Sequence, residues 1–118
     1  MSVLDPQRPR IARSCDVSQT LTIPAGATDS GTLSVAEWAL GSLIAPAELT
    51  GSEITFLVSH DGETFVVAVD SNGTAITRAF ASGGCCSVPP EVFDYPLARV
   101  RGNAAEAAER TISVALKG

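Results

Sequence analysis

Aromatic side chains are scarce in this sequence of 118 residues: four Phe, one Tyr and one Trp make up 5% of it. The single histidine, His60, leaves no second imidazole for a paired metal or acid–base site. Cations are also few. Eight Lys and Arg face thirteen Asp and Glu, and the net charge of −5 argues against a general nucleic-acid binder, since an acidic body repels phosphates. No apolar run approaches the roughly 20 residues of a membrane-spanning helix. The start, Met1-Ser2-Val3-Leu4-Asp5-Pro6, lacks the basic cluster and apolar stretch of a secretion signal. The expectation is a protein that works where it is made or leaves the cell by another route. Cys15, Cys85 and Cys86 match no zinc spacing.

What is present suffices for one domain with a core of its own. The chain is 45% hydrophobic, too apolar for a disordered segment. Much of that content is Ala and Val, which predicts a thin core and a subunit helped by a partner that covers more surface. Charge is uneven along the chain. Residues 1–14 carry Arg8, Arg10 and Arg13 against Asp5 alone, and the rest holds twelve acidic and five basic residues. With Pro6 and Pro9 opposing a helix, this stretch reads either as a solvated terminus or as an extended basic arm for an acidic neighbour. The domain proper is then 15–118.

Period-two alternation dominates that domain. Thr20 to Ile23, Thr32 to Val35, Leu40 to Ala45, Glu53 to Ser59, Thr64 to Val69, Thr74 to Ala81, Pro96 to Arg101 and Thr111 to Leu116 each read as a strand. Ile54, Phe56 and Val58 share one face; so do Phe65, Val67 and Val69; so do Ala98 and Val100; so do Ile112, Val114 and Leu116. Asp61-Gly62 and Asn72-Gly73 supply tight hairpin turns, so residues 53–81 are predicted to form a three-stranded meander. Ser82-Gly83-Gly84 ends it, and Val88-Pro89-Pro90 reads as a connection. Residues 103–110 have helix propensity but no large apolar residue, which predicts a mobile loop or a single helical turn. The fold expectation is all-β: an antiparallel β-sandwich, jelly-roll-like, of about eight strands.

Catalytic patterns are thin. Ser59-His60-Asp61 holds triad residue types, but adjacent strand residues point to opposite faces, so a turn at a hairpin tip is the better reading. Asp70-Ser71-Asn72-Gly73 lacks the ligand spacing of a calcium loop and also reads as a turn. These patterns predict no enzyme, no metal and no cofactor. Cys85 and Cys86 are poorly placed to bond each other. Cys15 pairing with one of them stands as an alternative to three reduced thiols, the preferred reading. Trp38 lies in a connection, where core packing and a partner contact are both open.

The order of several segments is familiar. Ile23-Pro24-Ala25-Gly26-Ala27 is followed by Gly41-Ser42-Leu43-Ile44-Ala45-Pro46-Ala47, then by Ile54 to Phe65. Leu97-Ala98-Arg99-Val100-Arg101-Gly102 and Arg110-Thr111-Ile112-Ser113-Val114 complete the set. This order resembles a group of small tailed-phage virion proteins over roughly residues 18–116; the Gly83 to Cys86 stretch has no counterpart. The resemblance implies a β-sandwich on the phage particle, a capsid decoration (cement) or head-fibre protein, with no catalytic residue to transfer. The implied partners are the major capsid protein and identical copies of the chain, a trimer being one arrangement, with no direct contact to nucleic acid or membrane. The implied location is the outer head surface, after synthesis in the host cytoplasm. Arg8, Arg10 and Arg13 are the arm candidates, and Trp38, Phe93 and Tyr95 the candidates for contact within an oligomer or with the capsid. A head-fibre or tail-associated module that binds a host glycan through Trp38 and Tyr95 is the alternative.

Overall fold

The computed structural model describes residues 15–118. The expected arm, with Arg8, Arg10 and Arg13, lies outside the described residues.

Nine strands and one short 3-10 helix follow one another: β1 (Cys15–Ile23), β2 (Leu33–Ser34), β3 (Leu40–Ile44), β4 (Glu53–Ser59), β5 (Val66–Val67), β6 (Thr77–Ala79), β7 (Cys85–Ser87), the helix Pro90–Asp94, β8 (Leu97–Gly102) and β9 (Arg110–Lys117). They form two antiparallel sheets. The first has the order β1-β9-β3-β7; the second has the order β2-β8-β4-β5, with β6 also on β4. The fold is therefore all-β with almost no helix.

Alternation decides which side chains meet. Leu21 lies opposite Ile112, and Leu43 opposite Val114. In the second sheet Phe56 lies opposite Val100, and Val58 opposite Ala98. These residues join one buried cluster that spans both sheets. Burying each large side chain stabilises the fold by about 1.5–3 kcal/mol relative to exposure. The core is less thin than composition predicts, because only three of its 21 buried hydrophobic residues are alanine. Alanine is spent mainly on turns and surface, while Leu, Ile, Val and Phe take the inward positions.

The predicted meander does not form. β8 occupies one edge of β4 from Ile54 to Ser59. Only the opposite edge remains, and β5 and β6 share it end to end. Val66 and Val67 pair with Val58 and Leu57, while Thr77 to Ala79 pair with Thr55 to Glu53. Between them the chain leaves the sheet in a small hairpin, with a bridge from Val69 to Ala75 and the Asn72-Gly73 turn at its tip. The expected face of Phe65, Val67 and Val69 is also out of phase. Ala68 is the buried residue, and Val66 and Val69 are 56% and 47% exposed.

Two further differences concern connections. Cys85–Ser87 is a strand on the open edge of β3, and the prolines that follow start the 3-10 helix, where a ring that fixes φ is well tolerated. Residues 103–110 contain no helix and are not loose. Their Glu106 is buried and holds the loop by hydrogen bonds to the chain near Thr50.

Candidate functional site

Trp38, Phe93 and Tyr95 all lie half-buried against the core. Trp38 sits in a turn after β2, its amide donating to the Val35 carbonyl at 3.1 Å. Phe93 belongs to the 3-10 helix and lies over Gly41 of β3. A methyl group at Gly41 would stand 3.1 Å from both the Phe93 ring and a Leu116 methyl. Phe93 thus fastens the helix to the first sheet. Tyr95, two residues later, belongs to a different neighbourhood: its ring stacks on His60 with centroids 5.2 Å apart and planes 26° apart. The structure therefore separates Phe93 from Tyr95. Sequence spacing gave no sign of the His60–Tyr95 pair, because the two residues come from unrelated connections.

The turn after β4 is built by side chains. Asp61 Oδ1 accepts the amides of Glu63 and Thr64 at 2.8 and 2.9 Å, and the Ser59 hydroxyl donates to it at 3.0 Å. Ser59 Oγ in turn accepts the amides of Asp61 and Gly62. Gly62 takes a φ of +84°, which a side chain would strain. These bonds, the Thr64 amide first, hold the Asp61 carboxyl below its ordinary pKa. Ser59 and Asp61 are engaged with the backbone while His60 turns toward Tyr95, so the three do not line up as a relay. A shallow concavity of about 230 Å³ opens beside this turn, lined by Ser59, His60, Asp61, Thr64, Val66 and Tyr95.

Other polar groups are structural. Asp70 Oδ1 caps its own hairpin through the amides of Asn72 and Thr74 at 2.8 and 3.0 Å. Among the described residues, no three His, Cys, Asp or Glu side chains converge as a metal group would require. Arg101 Nε meets Asp29 Oδ1 at 2.8 Å, which lowers the aspartate pKa. Arg99 lies 4.0 Å over the Phe65 ring and also donates to the Thr32 hydroxyl. That cation–ring contact, which the alternation pattern does not reveal, keeps Phe65 against the sheet.

The cysteines are free, and Cys15 lies far from the other two. Cys15 starts β1, which is one edge strand of the first sheet, and Cys85 and Cys86 are on β7, the other edge. Three strand spacings amount to about 14 Å, well beyond a disulfide's reach. The alternative pairing of Cys15 with either neighbour is thereby excluded within one chain. Burial pushes the Cys86 thiol up to about 11.

No family model matches the chain, and no curated protein or solved structure matches it.

Proposed function

We propose that the chain is a phage virion structural protein, a capsid decoration (cement) protein that sits on the outer head and bridges major capsid protein subunits. In this reading the two sheets are the layers of a jelly-roll-like sandwich. The observation that carries it is the strand order. The chain changes between β1-β9-β3-β7 and the second sheet at six of its eight connections, β4–β5 and β5–β6 being the exceptions, which suits the double Greek-key winding of a jelly roll. The segments that carry the resemblance to phage virion proteins run from the ends of β1, β3 and β4 into the turns that follow them, and cover β8 and the start of β9.

The mechanism is mechanical. β9 lies between β1 and β3, so the two terminal strands are ladder partners inside a sheet. Cys15 lies opposite Lys117, so β1 begins beside the end of β9, and the close-packed core resists deformation. Contacts that are weak singly add up when the capsid repeats them. Arg8, Arg10 and Arg13 reach an acidic patch on the capsid protein, and Trp38, Phe93 and Tyr95 supply contact surface among identical copies. The role needs no catalysis and no cofactor.

Mass spectrometry of purified particles tests the reading. The expected result is this chain in a fixed ratio to the major capsid protein, with heads that burst at a lower temperature when it is stripped off. A few copies per particle, confined to the tail or a fibre, would overturn it.

A further inference from the structure

The concavity beside the β4–β5 turn combines features that, Tyr95 apart, the cement role does not use. His60 and Tyr95 form its aromatic wall. Val66, 56% exposed, adds aliphatic surface. Among the described residues, the Tyr95 hydroxyl, the His60 ring nitrogens and the Thr64 hydroxyl have no hydrogen-bond partner. Asp61 spends Oδ1 on the turn and leaves Oδ2 open. The Ser59 and Asp61 bonds fix the turn and the Asp61 carboxylate before any ligand arrives, and His60 is stacked on Tyr95.

The geometry points to a binding site for a neutral hexopyranose, the terminal sugar of a glycan. A sugar ring offers an apolar C–H face for an aromatic wall and a rim of hydroxyls for a carboxylate, an imidazole and two hydroxyl groups. The volume of about 230 Å³ suits one ring and not a chain of several. Charge selects further. Asp61, whose bonds from the turn favour its carboxylate form, lines the concavity, and Glu63 stands exposed beside it, so an acidic sugar is repelled. The two readings share Tyr95 but are tested apart: a protein that never touches a head could still bind here, and a cement protein could lack it.

The test is a titration of the isotopically labelled full chain, followed by NMR. The probes are methyl glycosides of glucose, galactose and mannose, N-acetylglucosamine, and N-acetylneuraminic acid as the acidic comparison. At least one neutral sugar is expected to bind with a Kd in the range of about 1–20 mM and to shift signals only from residues 58–66 and Tyr95. Tyr95→Ala should weaken that binding about tenfold. His60→Ala, at an exposed position where the fold does not depend on the ring, should do the same. No shift with any neutral sugar at about 50 mM would overturn the site. So would shifts elsewhere on the surface, equal binding by both variants, or tighter binding of N-acetylneuraminic acid.

Discussion

The amide of Thr50 donates to Glu106 Oε1 at 2.9 Å, joining two loops that lie 56 residues apart in the chain. Gly51 donates to the other carboxylate oxygen at 3.2 Å, and Arg110 Nε lies 3.1 Å from Oε1. Glu106 also exchanges backbone bonds with the 24–27 turn: the Gly26 amide donates to the Glu106 carbonyl, and the Glu106 amide donates to the Ala27 carbonyl. One acidic residue thus fastens three connections at the same end of the molecule. It is 2% exposed, the only buried charged side chain among the described residues.

Removing that clamp should be costly. Glu106→Ala leaves the two amides without their acceptor and the Arg110 guanidinium with the longer, 3.5 Å contact to Glu48. The expected loss is about 2–4 kcal/mol of unfolding free energy, read from urea denaturation. Glu106→Gln keeps one acceptor and should lose less, about 1–2 kcal/mol. A loss below 0.5 kcal/mol for the alanine variant, a value within the range of ordinary surface changes, would contradict the clamp.

Acid should unfold the protein through the same residue. Burial opposes ionisation of Glu106, but the Thr50 and Gly51 amides and Arg110 outweigh it and hold the pKa below the ordinary value. Asp29 is lowered too, first by its bond from Arg101. A depressed folded-state pKa contributes stability that is complete above the unfolded value and declines as pH falls toward the folded one. The thermal midpoint should therefore hold steady near neutrality and drop below about pH 4. In Glu106→Gln the drop should be shallower, because the amide does not titrate.

Gly41 should not accept a side chain. A methyl group there would press on Leu116, Phe93 and Val88 at 3.1–3.3 Å. Gly41→Ala is expected to cost about 1–3 kcal/mol and to loosen the 3-10 helix. Near-ultraviolet circular dichroism, sensitive to the setting of Phe93 and Tyr95, should change along with it.

Residues of similar hydrophobicity should differ by position. Ile112 is fully buried, and Ile44 is 55% exposed on the outer side of β3. Ile112→Ala should cost about 2–5 kcal/mol by opening a cavity. Ile44→Thr should stay within about 0.5 kcal/mol. Equal effects would mean that the faces of the first sheet are assigned wrongly.

The thiols should react singly. Non-reducing mass spectrometry of the monomer should show no bond between Cys15 and either Cys85 or Cys86, which lie at opposite edges of the sheet. Under iodoacetamide at mildly alkaline pH, Cys85 should be labelled before Cys86, whose burial raises its pKa to about 11.

Alternation alone fixed the inward faces of Glu53–Ser59, Leu97–Gly102 and Arg110–Lys117, because a strand's side-chain period is a local property of its backbone. The same locality placed the Asp61-Gly62 and Asn72-Gly73 turns and made the fold class legible. The tertiary structure decided which strands became neighbours. β8 claimed one edge of β4, so β5 and β6 had to share the other, and no pattern within residues 64–81 encodes that competition. Glu106 on Thr50, Tyr95 on His60 and Arg99 on Phe65 arise the same way. Each joins side chains whose proximity depends on how both sheets close around one core, and a local sequence window contains only one partner of each pair.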